Sequence, residues 1–332
     1  MNARWRGIIF AALAVAAAGC AAILGIDDGV PRDGAVPTDA SDASFDVSDA
    51  GPTSDAQPDA GDGAVPMCDV DAAFAPPTAF SKLDSTGNDA HLRLVPPSEF
   101  IGVFQSVRDG GLGSTDIYTA QRASIGDTWT AIASITPVNT ITADSDPTMS
   151  ADQLTLYLAH GGGIQRSSRL TTQDAFSAPL AVAAINSAAS DFAPYLVDDS
   201  SALYFSSTRN SDAGVSELFV TQPLADGGYT PVANVNGTGL KTGDNRYATV
   251  TADQLVMYFA SNRGAGQGGF DIWVSTRAST AVAFGTPRVV AEINGTTNEW
   301  PDWISSDRCR LYFTSDRGTG GDQNLFVATK LP

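Results

Sequence analysis

From residue 74 onward the sequence repeats one pattern five times. Each repeat contains a short strand with two adjacent large apolar residues, followed by small residues and, in four repeats, an arginine. The strands begin at Val103, Tyr157, Tyr204, Tyr258 and Tyr312, at intervals of 54, 47, 54 and 54 residues. Gly-rich residues, another short strand and a further aromatic residue follow each of them. A unit of about 50 residues with four short strands has the size of one β-propeller blade.

The two ends of the repeated region complement each other. The last repeat ends near Lys330, after only three of its four strands. Residues 74–84 align with 284–294, which contain the fourth strand of the preceding repeat. We therefore predict that a strand at 74–83 completes the last blade, so that no sheet edge is left open. The fold class predicted for residues 68–332 is all-β, a five-bladed β-propeller closed by an N-terminal strand.

Closure brings two cysteines into the same blade. Cys68 lies just before the closing strand, and Cys309 begins the second strand of the last blade. In an antiparallel blade, the start of strand four and the start of strand two lie at the same end. We predict a Cys68–Cys309 disulfide, which suits a protein outside the cytoplasm, and the alternative is two buried thiols.

The N-terminus, residues 1–20, is typical of a bacterial lipoprotein signal peptide. Two arginines precede the apolar run 7–18, and small residues then lead to Cys20, which would be lipidated after cleavage. One alternative is an uncleaved anchor, because the apolar stretch 7–26 is long enough to span a bilayer. Ordinary signal-peptide cleavage is the third reading. All three export the rest of the chain.

Residues 21–67 are predicted to form a disordered acidic tether. Between residues 27 and 66 there are ten Asp, one basic residue and few large apolar side chains. Such a segment buries too little apolar surface to offset the entropy of ordering it. Calcium binding is the alternative, although the spacing shows no loop of converging ligands around a glycine turn. The net charge of −18 argues against nucleic acid and anionic membrane surfaces as partners.

An arginine and an acidic residue eight positions later recur across the hairpin that follows the aromatic strand. The predicted structural pairs are Arg108 with Asp116, Arg209 with Glu217, and Arg263 with Asp271. The second repeat is seven residues shorter in this hairpin and lacks both partners. Joint loss is expected if each pair holds one loop, and the alternative is ligand binding by the arginines.

A column of Asp or Asn residues precedes the proline position of each repeat. Its members are Asn88, Asp144, Asp191, Asp244 and Asn298, with Glu299 adjacent. The segment that enters the innermost strand of a propeller lies at one mouth of the central channel, so these side chains are predicted to form a polar ring there. Two interpretations stay open: a site for a cation or polar ligand, and capping of loop backbone by Asx side chains.

The pattern Asp…Pro…Asp…Leu-Tyr-Phe-x-Ser-x-Arg-Gly…Asp-Ile-Trp resembles the WD-repeat-like blades of the TolB propeller family, most clearly at 244–277 and 298–327. The resemblance implies the propeller fold but is a poor guide to function, because such blades serve as binding platforms in many contexts. TolB proteins have a separate N-terminal domain and six blades. Their partners therefore cannot be carried over to this chain.

The predicted function is a non-catalytic binding or scaffold lipoprotein of the cell envelope, whose partner is an envelope protein or a glycan. Ala21 after the cysteine favours the outer membrane, and the lipid is the only membrane contact expected. We expect a monomer without cofactor or metal, since neither His91 nor His160 lies at metal-ligand spacing. The alternative is a five-bladed glycoside hydrolase that uses Glu299 beside the aspartates of the mouth.

Overall fold

The computed structural model describes residues 67–80, 83–211, 213–318 and 320–331. The predicted signal peptide, Cys20 and nearly all of the tether lie outside the described residues. Within the described part the chain forms twenty β-strands and no α-helix, so no helix there is long and apolar enough to cross a membrane.

The strands form five antiparallel sheets of four strands each, the blades of a β-propeller. Blade 1 contains β2 (Asp89–Leu94), β3 (Ile101–Ser106), β4 (Asp116–Gln121) and β5 (Thr130–Ser134). Blade 2 contains β6 (Asp144–Met149), β7 (Thr155–His160), β8 (Gly163–Ser168) and β9 (Leu180–Ala181). Blade 3 contains β10 (Asp191–Leu196), β11 (Leu203–Ser207), β12 (Glu217–Thr221) and β13 (Ala233–Asn234). Blade 4 contains β14 (Asn245–Val250), β15 (Val256–Ser261), β16 (Asp271–Thr276) and β17 (Arg288–Val289). Blade 5 contains β18 (Glu299–Ile304), β19 (Arg310–Ser315), β20 (Asn324–Thr329) and β1 (Thr78–Ala79).

The first strand of each blade is innermost and contacts the first strands of both neighbouring blades. The series ends with β18 against β2, which closes the ring. The predicted all-β, five-bladed propeller is therefore confirmed.

The paired aromatic residues of the repeat fill the space between blades. Successive side chains of a strand point to opposite faces of the sheet, so two adjacent aromatic rings pack against both neighbouring blades. Tyr204 and Phe205 of β11 are both buried, as are Tyr312 and Phe313 of β19. Within the blade, Phe313 stacks on Phe326 of the next strand with ring centroids 5.5 Å apart. A sheet that is buried on both faces needs such residues in its middle strands, which explains the recurrence of the pattern.

The N-terminal segment closes blade 5 as its fourth strand. Thr78 and Ala79 pair with Val327 and Phe326 of β20. The regular strand is shorter than the predicted 74–83, but backbone bonds continue on both sides of it. The N–H of Ala75 donates to the carbonyl of Thr329 at 2.8 Å, and further bonds follow at Phe74 and Phe80.

Cys68 and Cys309 are joined by a disulfide, with their Cα atoms 5.2 Å apart. The bridge spans 241 residues of sequence and ties the start of the closing segment to the turn before β19. The N–H of Cys68 also donates to the carbonyl of Asp307 at 2.8 Å. The covalent link therefore lies where the two ends of the propeller meet.

Asp84 differs from its counterparts in three other blades. There an asparagine bonds both the N–H and the C=O of one residue of the third strand: Asn139 with Ile117, Asn186 with Ile164, and Asn294 with Ile272. At the closure of blade 5, Asp84 accepts the N–H of Leu325 at 3.1 Å, and an ionised carboxylate has no proton to donate to the carbonyl. Burial is the main cause that raises the pKa of Asp84 to about 6.

We predict that Asp84→Asn stabilises the propeller at neutral pH. A carboxyl whose pKa is about 6 in the folded chain and 3.8 in the unfolded chain destabilises the fold above pH 6, and the penalty fades as the pH falls towards 4. The free energy of unfolding in urea should rise by about 1–3 kcal/mol at pH 7.5 and by much less at pH 4.5. Asn294→Asp is the matched control and should introduce the same pH-dependent penalty. An effect of Asp84→Asn that does not change with pH would contradict the prediction.

Candidate binding site at the channel mouth

The first residue of each innermost strand is a buried Asp, Asn or Glu. These residues are Asp89, Asp144, Asp191, Asn245 and Glu299, and all five are 0% exposed. In three blades the residue of the predicted column, Asn88, Asp244 or Asn298, lies one position before this buried residue. The column was aligned on proline, and proline follows the strand start by three positions in blades 2 and 3 but by two in blade 5.

The conserved arginine of the repeat pairs with this first residue. In three blades its Nη2 meets a carboxylate oxygen: Arg108 and Asp89 at 2.7 Å, Arg209 and Asp191 at 2.5 Å, and Arg317 and Glu299 at 3.0 Å. In blade 4 the Arg263 Nη2 donates to Asn245 Oδ1 at 2.6 Å. In blade 2 the His160 Nδ1 takes the place of the arginine, 2.8 Å from Asp144 Oδ1.

The predicted arginine pairs across the hairpin are wrong. Asp116 accepts the N–H groups of Leu112 and Gly113, and Asp271 accepts those of Gln267 and Gly268. Glu217 accepts the side-chain amides of Asn210 and Asn234. Each of these carboxylates holds its own hairpin, whereas the arginine reaches across to the innermost strand that pairs with its own strand.

Three members of the predicted column cap the hairpin of the preceding blade. Asn88 accepts the N–H of Gln323, Asp244 that of Ser216, and Asn298 that of Phe270. Asp144 and Asp191 accept N–H groups of the loops before their strands, from Thr140 and Ser187 at 2.6 Å each. These bonds are those of loop capping. In the described part of the chain, no group of three or more His, Cys, Asp or Glu side chains is arranged to hold a metal ion.

Side chains from four blades meet on the axis of the channel. We call His91, Arg93, Asp146, Tyr247 and Asp302 the axial cluster. The ring of His91 in blade 1 stacks on Tyr247 of blade 4, with centroids 4.4 Å apart. Its Nδ1 lies 3.2 Å from Asp302 in blade 5, and its Nε2 lies 3.6 Å from Asp146 in blade 2. Because blades 1 and 4 are not neighbours, this stack occupies the axis.

An unusual backbone conformation accompanies the axial cluster. The third residue of four innermost strands has a φ between 49° and 56°: His91, Asp146, Ala193 and Tyr247. This left-handed conformation is unfavourable for residues other than glycine and occurs where the surrounding structure enforces it. A bulge at each of these positions interrupts the pairing with the second strand and re-aims the side chain.

Arg93 completes the filling of the channel. Its Nη1 donates to Thr249 Oγ1 at 2.9 Å, and its guanidinium lies over the ring of Tyr195, 4.6 Å from the centroid. Burial lowers the pKa of Arg93, and the nearby Asp302 opposes that shift. His91 and Arg93 are each 3% exposed. The axial cluster is therefore a packed polar core with bonds among its own members.

Beside blade 2 the mouth of the channel is open. The loop between the second and third strands spans 107–115, 208–216, 262–270 and 316–323 in the other blades, but only 161–162 in blade 2. Gly161 and Gly162 have φ values of 61° and 83°, the conformation that a two-residue hairpin turn requires. The short hairpin leaves a depression at the rim of the mouth, which we call the notch.

The notch is lined by small apolar residues, hydroxyl groups, charged groups and one aromatic ring. Its lining residues include Ser145, His160, Ser190, Asp191, Phe192 and Arg246. Ser216 is fully buried, and its Oγ has no hydrogen-bond partner among the described residues. The ring of Phe192 is half-buried and lies 6.0 Å from that of Tyr247, so the notch adjoins the axial cluster.

The charged groups around the notch are balanced by partners. Arg246 binds Asp244 through Nε at 2.9 Å and through Nη2 at 2.5 Å. His160 lies against Asp144, and the carboxylate of Asp191 is held by its arginine. The notch therefore offers polar groups without an excess of positive charge.

Sequence reasoning detected the notch only as a deletion in the second repeat, and it missed most of the axial cluster. His91 was considered there only as a metal ligand, and the structure places it in the channel. Arg93 and Tyr247 were not identified. The available signal was the fourth residue of the innermost strand, which is proline in blades 2 and 3 but Leu92 in blade 1 and Ala248 in blade 4.

No protein-family model and no curated protein matches this chain. Among solved structures, the chain is similar to TolB from Acinetobacter baumannii, with a TM-score of 0.43 and 13% identity over 75% of this chain and 56% of that chain. It thus spans little more than half of that TolB. It is also similar to a GH43 β-xylosidase/α-arabinofuranosidase from a compost microbial metagenome, with a TM-score of 0.51 and 13% identity over 79% and 95%.

A third similar structure is the catalytic domain of a GH62 α-L-arabinofuranosidase from Coprinopsis cinerea, with a TM-score of 0.49 and 13% identity over 78% of this chain and 96% of that domain. The GH43 enzyme is the one of these three with a TM-score above 0.5, so the likeness of fold is argued from that structure. At these identities the likeness extends to the fold alone.

Proposed function

We propose that this chain is a non-catalytic binding or scaffold lipoprotein of the bacterial cell envelope, with blades of the TolB-like repeat family. Residues 1–20 support export and lipidation at Cys20, with an uncleaved anchor as the alternative. The acidic segment 21–67 would hold the propeller away from the outer membrane. The propeller then presents its mouth to an envelope protein or a glycan.

The observation that carries this proposal is the notch beside a filled channel. Clefts with a few convergent polar groups are the usual ligand sites of folded proteins. In blade 2 the long loop between the second and third strands is absent, and the rim of the mouth there exposes hydroxyl groups and an aromatic ring. The buried axial cluster adjoins it through the rings of Phe192 and Tyr247. This arrangement suits recognition of a group that enters from the mouth.

The hydrolase alternative finds little support at its proposed acid. A glycosidase needs one carboxyl that can protonate the leaving group and a second that faces the sugar. Glu299 is fully buried, and its two oxygens accept bonds from Gly295, Ser315 and Arg317. Asp146 and Asp302 of the axial cluster are likewise engaged, since each contacts His91 and one further donor. Activity that Glu299→Gln abolishes in a fold-intact variant would restore this alternative.

Crosslinking in cells tests the proposal with the full-length chain. Wild-type protein should fractionate with membranes and crosslink to a discrete envelope component, whereas Cys20→Ser should appear in the soluble periplasmic fraction. Replacement of Gly161–Gly162 by the blade 4 loop Asn262–Phe270 fills the notch and should remove the crosslink. Crosslinks that are equal in the wild-type and loop-filled proteins, or absent in both, would contradict a binding role for the notch.

A further inference from the structure

We propose that a groove between the outer parts of blades 2 and 3 binds an acidic peptide segment of a partner protein through Arg166. We call it the side groove. One wall is formed by residues 180–184, which contain β9 and the turn after it, and the other by residues 227–229 of blade 3. The side groove shares no lining residue with the notch, so this inference goes beyond the proposed function.

Arg166 stands where the other blades have an uncharged residue. In every blade the first residue of the repeated aromatic pair, or its counterpart Val103, pairs with one residue of the third strand. That residue is Arg166 in blade 2, and in the other blades it is Thr119, Val220, Val274 or Val327. Four blades therefore form without an arginine at this position, and the fold does not require one in blade 2.

Arg166 has no partner within the described part of the chain. Its Nε is enclosed without an acceptor, whereas its Nη groups are not enclosed and the side chain lines the side groove. Asp226 of the opposite wall accepts the N–H of Gly228 at 2.9 Å and does not pair with Arg166. The hydroxyls of Tyr157 and Tyr229 bond each other at 2.8 Å, and burial raises the pKa of Tyr157, so that phenol supplies no negative charge. A partly dehydrated guanidinium without a counter-ion favours a carboxylate.

Backbone groups of the side groove favour a peptide over a small acid. Among the described residues, the N–H groups of Ala183 and Ala184 donate to no carbonyl and to no side chain. Both residues are exposed and line the side groove beside β9, the edge strand of blade 2. A peptide offers carbonyl oxygens to such donors and a side-chain carboxylate to Arg166.

The wall that contains β9 is apolar. Leu180 is 74% exposed although it lies in a strand, and Ala181, Ala183 and Ala184 add small apolar side chains next to it. Burial of this apolar surface by a partner is favourable, and an exposed apolar edge strand is a common docking surface. The segment that fits therefore has an Asp or Glu flanked by apolar residues.

The negative charge of the whole chain does not prevent this contact. The net charge of −18 repels an acidic partner at long range. At physiological ionic strength that repulsion is screened beyond about 8 Å, whereas an ion pair in contact is screened much less. We therefore expect modest affinity that depends on direct contact with Arg166.

Peptide arrays test the inference with the full-length chain in dodecyl maltoside, an uncharged detergent. One array presents acetylated heptapeptides with a central Asp or Glu among varied Ala, Val, Leu, Ser and Pro, and a matched array has Asn or Gln at the centre. The chain should bind a subset of the acidic peptides and not their amide counterparts. Fluorescence anisotropy of the tightest acidic peptide should give a Kd on the order of 0.1–1 mM.

Variants locate the binding. Arg166→Val, which introduces the residue of three other blades, should weaken the acidic peptide about tenfold and leave the urea unfolding midpoint unchanged. Leu180→Ser should weaken it about threefold. Lys241→Ala, which removes an exposed cation outside the side groove, is the control and should change nothing.

Three results would overturn the inference: equal binding of acidic and amide peptides, unchanged affinity of Arg166→Val, or a loss of stability in Arg166→Val, which would show that the arginine serves the fold. Competition by N-acetylaspartate as strong as that by the peptide itself would overturn the peptide as the ligand, because a small acid would then suffice. The crosslinking experiment on the notch is independent of all these outcomes.

Discussion

Arg209→Ala is expected to lower the free energy of unfolding by about 3–5 kcal/mol, because it leaves a buried carboxylate without its partner. Asp191 is 0% exposed, and Arg209 Nη2 lies 2.5 Å from its Oδ1. The same guanidinium donates to the carbonyl of Ile185 at 2.6 Å and to Ser207 Oγ at 2.9 Å. Urea unfolding followed by tryptophan fluorescence measures the loss.

Three controls separate this pair from other charged contacts. Arg288→Ala breaks an ion pair with Asp71 in which the side chains are 45% and 76% exposed, and should change stability by less than about 1 kcal/mol. Glu217→Gln should also be mild, since Glu217 does not contact Arg209. Asp191→Asn should be milder than Arg209→Ala, because blade 4 has an asparagine at this position. A loss at Arg209 no larger than that at Arg288 would contradict the prediction.

The fold was predictable because the information that specifies it is local and repeated. Each repeat contains the residues that specify its own strands and turns. The last repeat lacks its fourth strand, and the segment before the first repeat is left to supply it. The match of 74–84 to 284–294 then identified the closing strand, and Cys68 and Cys309 followed from the position of that strand. These inferences use only the spacing and alignment of the repeats and need no knowledge of side-chain contacts.

The arginine pairs were not predictable from spacing alone, and the reason is strand register. Asp191 and Ser207 are paired residues on neighbouring strands, so Arg209 lies beside Asp191 although 18 residues separate them. Glu217 is closer in sequence and faces the same hairpin, which made it the apparent partner. In blade 2 both positions exist but are occupied by Gly162 and Gly163, and the two-residue hairpin has no long loop for a carboxylate to hold.

The axial cluster was beyond sequence reasoning for a further reason. His91 meets Tyr247, and Arg93 meets Thr249, between blades that are not adjacent in the ring. A repeat pattern does not predict such contacts, because each contact depends on side chains that occur in one blade and are not repeated in the others. The departures from the repeat consensus therefore mark the positions at which one blade differs from the others, and the short hairpin at Gly161 and Gly162 is the largest of them.

Loss of the Cys68–Cys309 disulfide is expected to lower the free energy of unfolding by about 3–5 kcal/mol, because the bridge constrains a long loop of the unfolded chain. The closing strand β1 has only two residues, so reduction should also expose the segment near Thr78 to protease before the rest of the propeller. Urea unfolding of Cys68→Ser/Cys309→Ser and limited proteolysis with and without reductant measure the two effects. Cys20→Ser is the background for thiol counting, in which native protein should show no reactive thiol and denatured, reduced protein two. Two reactive thiols in the native protein, or a propeller equally stable without the bridge, would contradict the prediction that the disulfide stabilises the closed propeller.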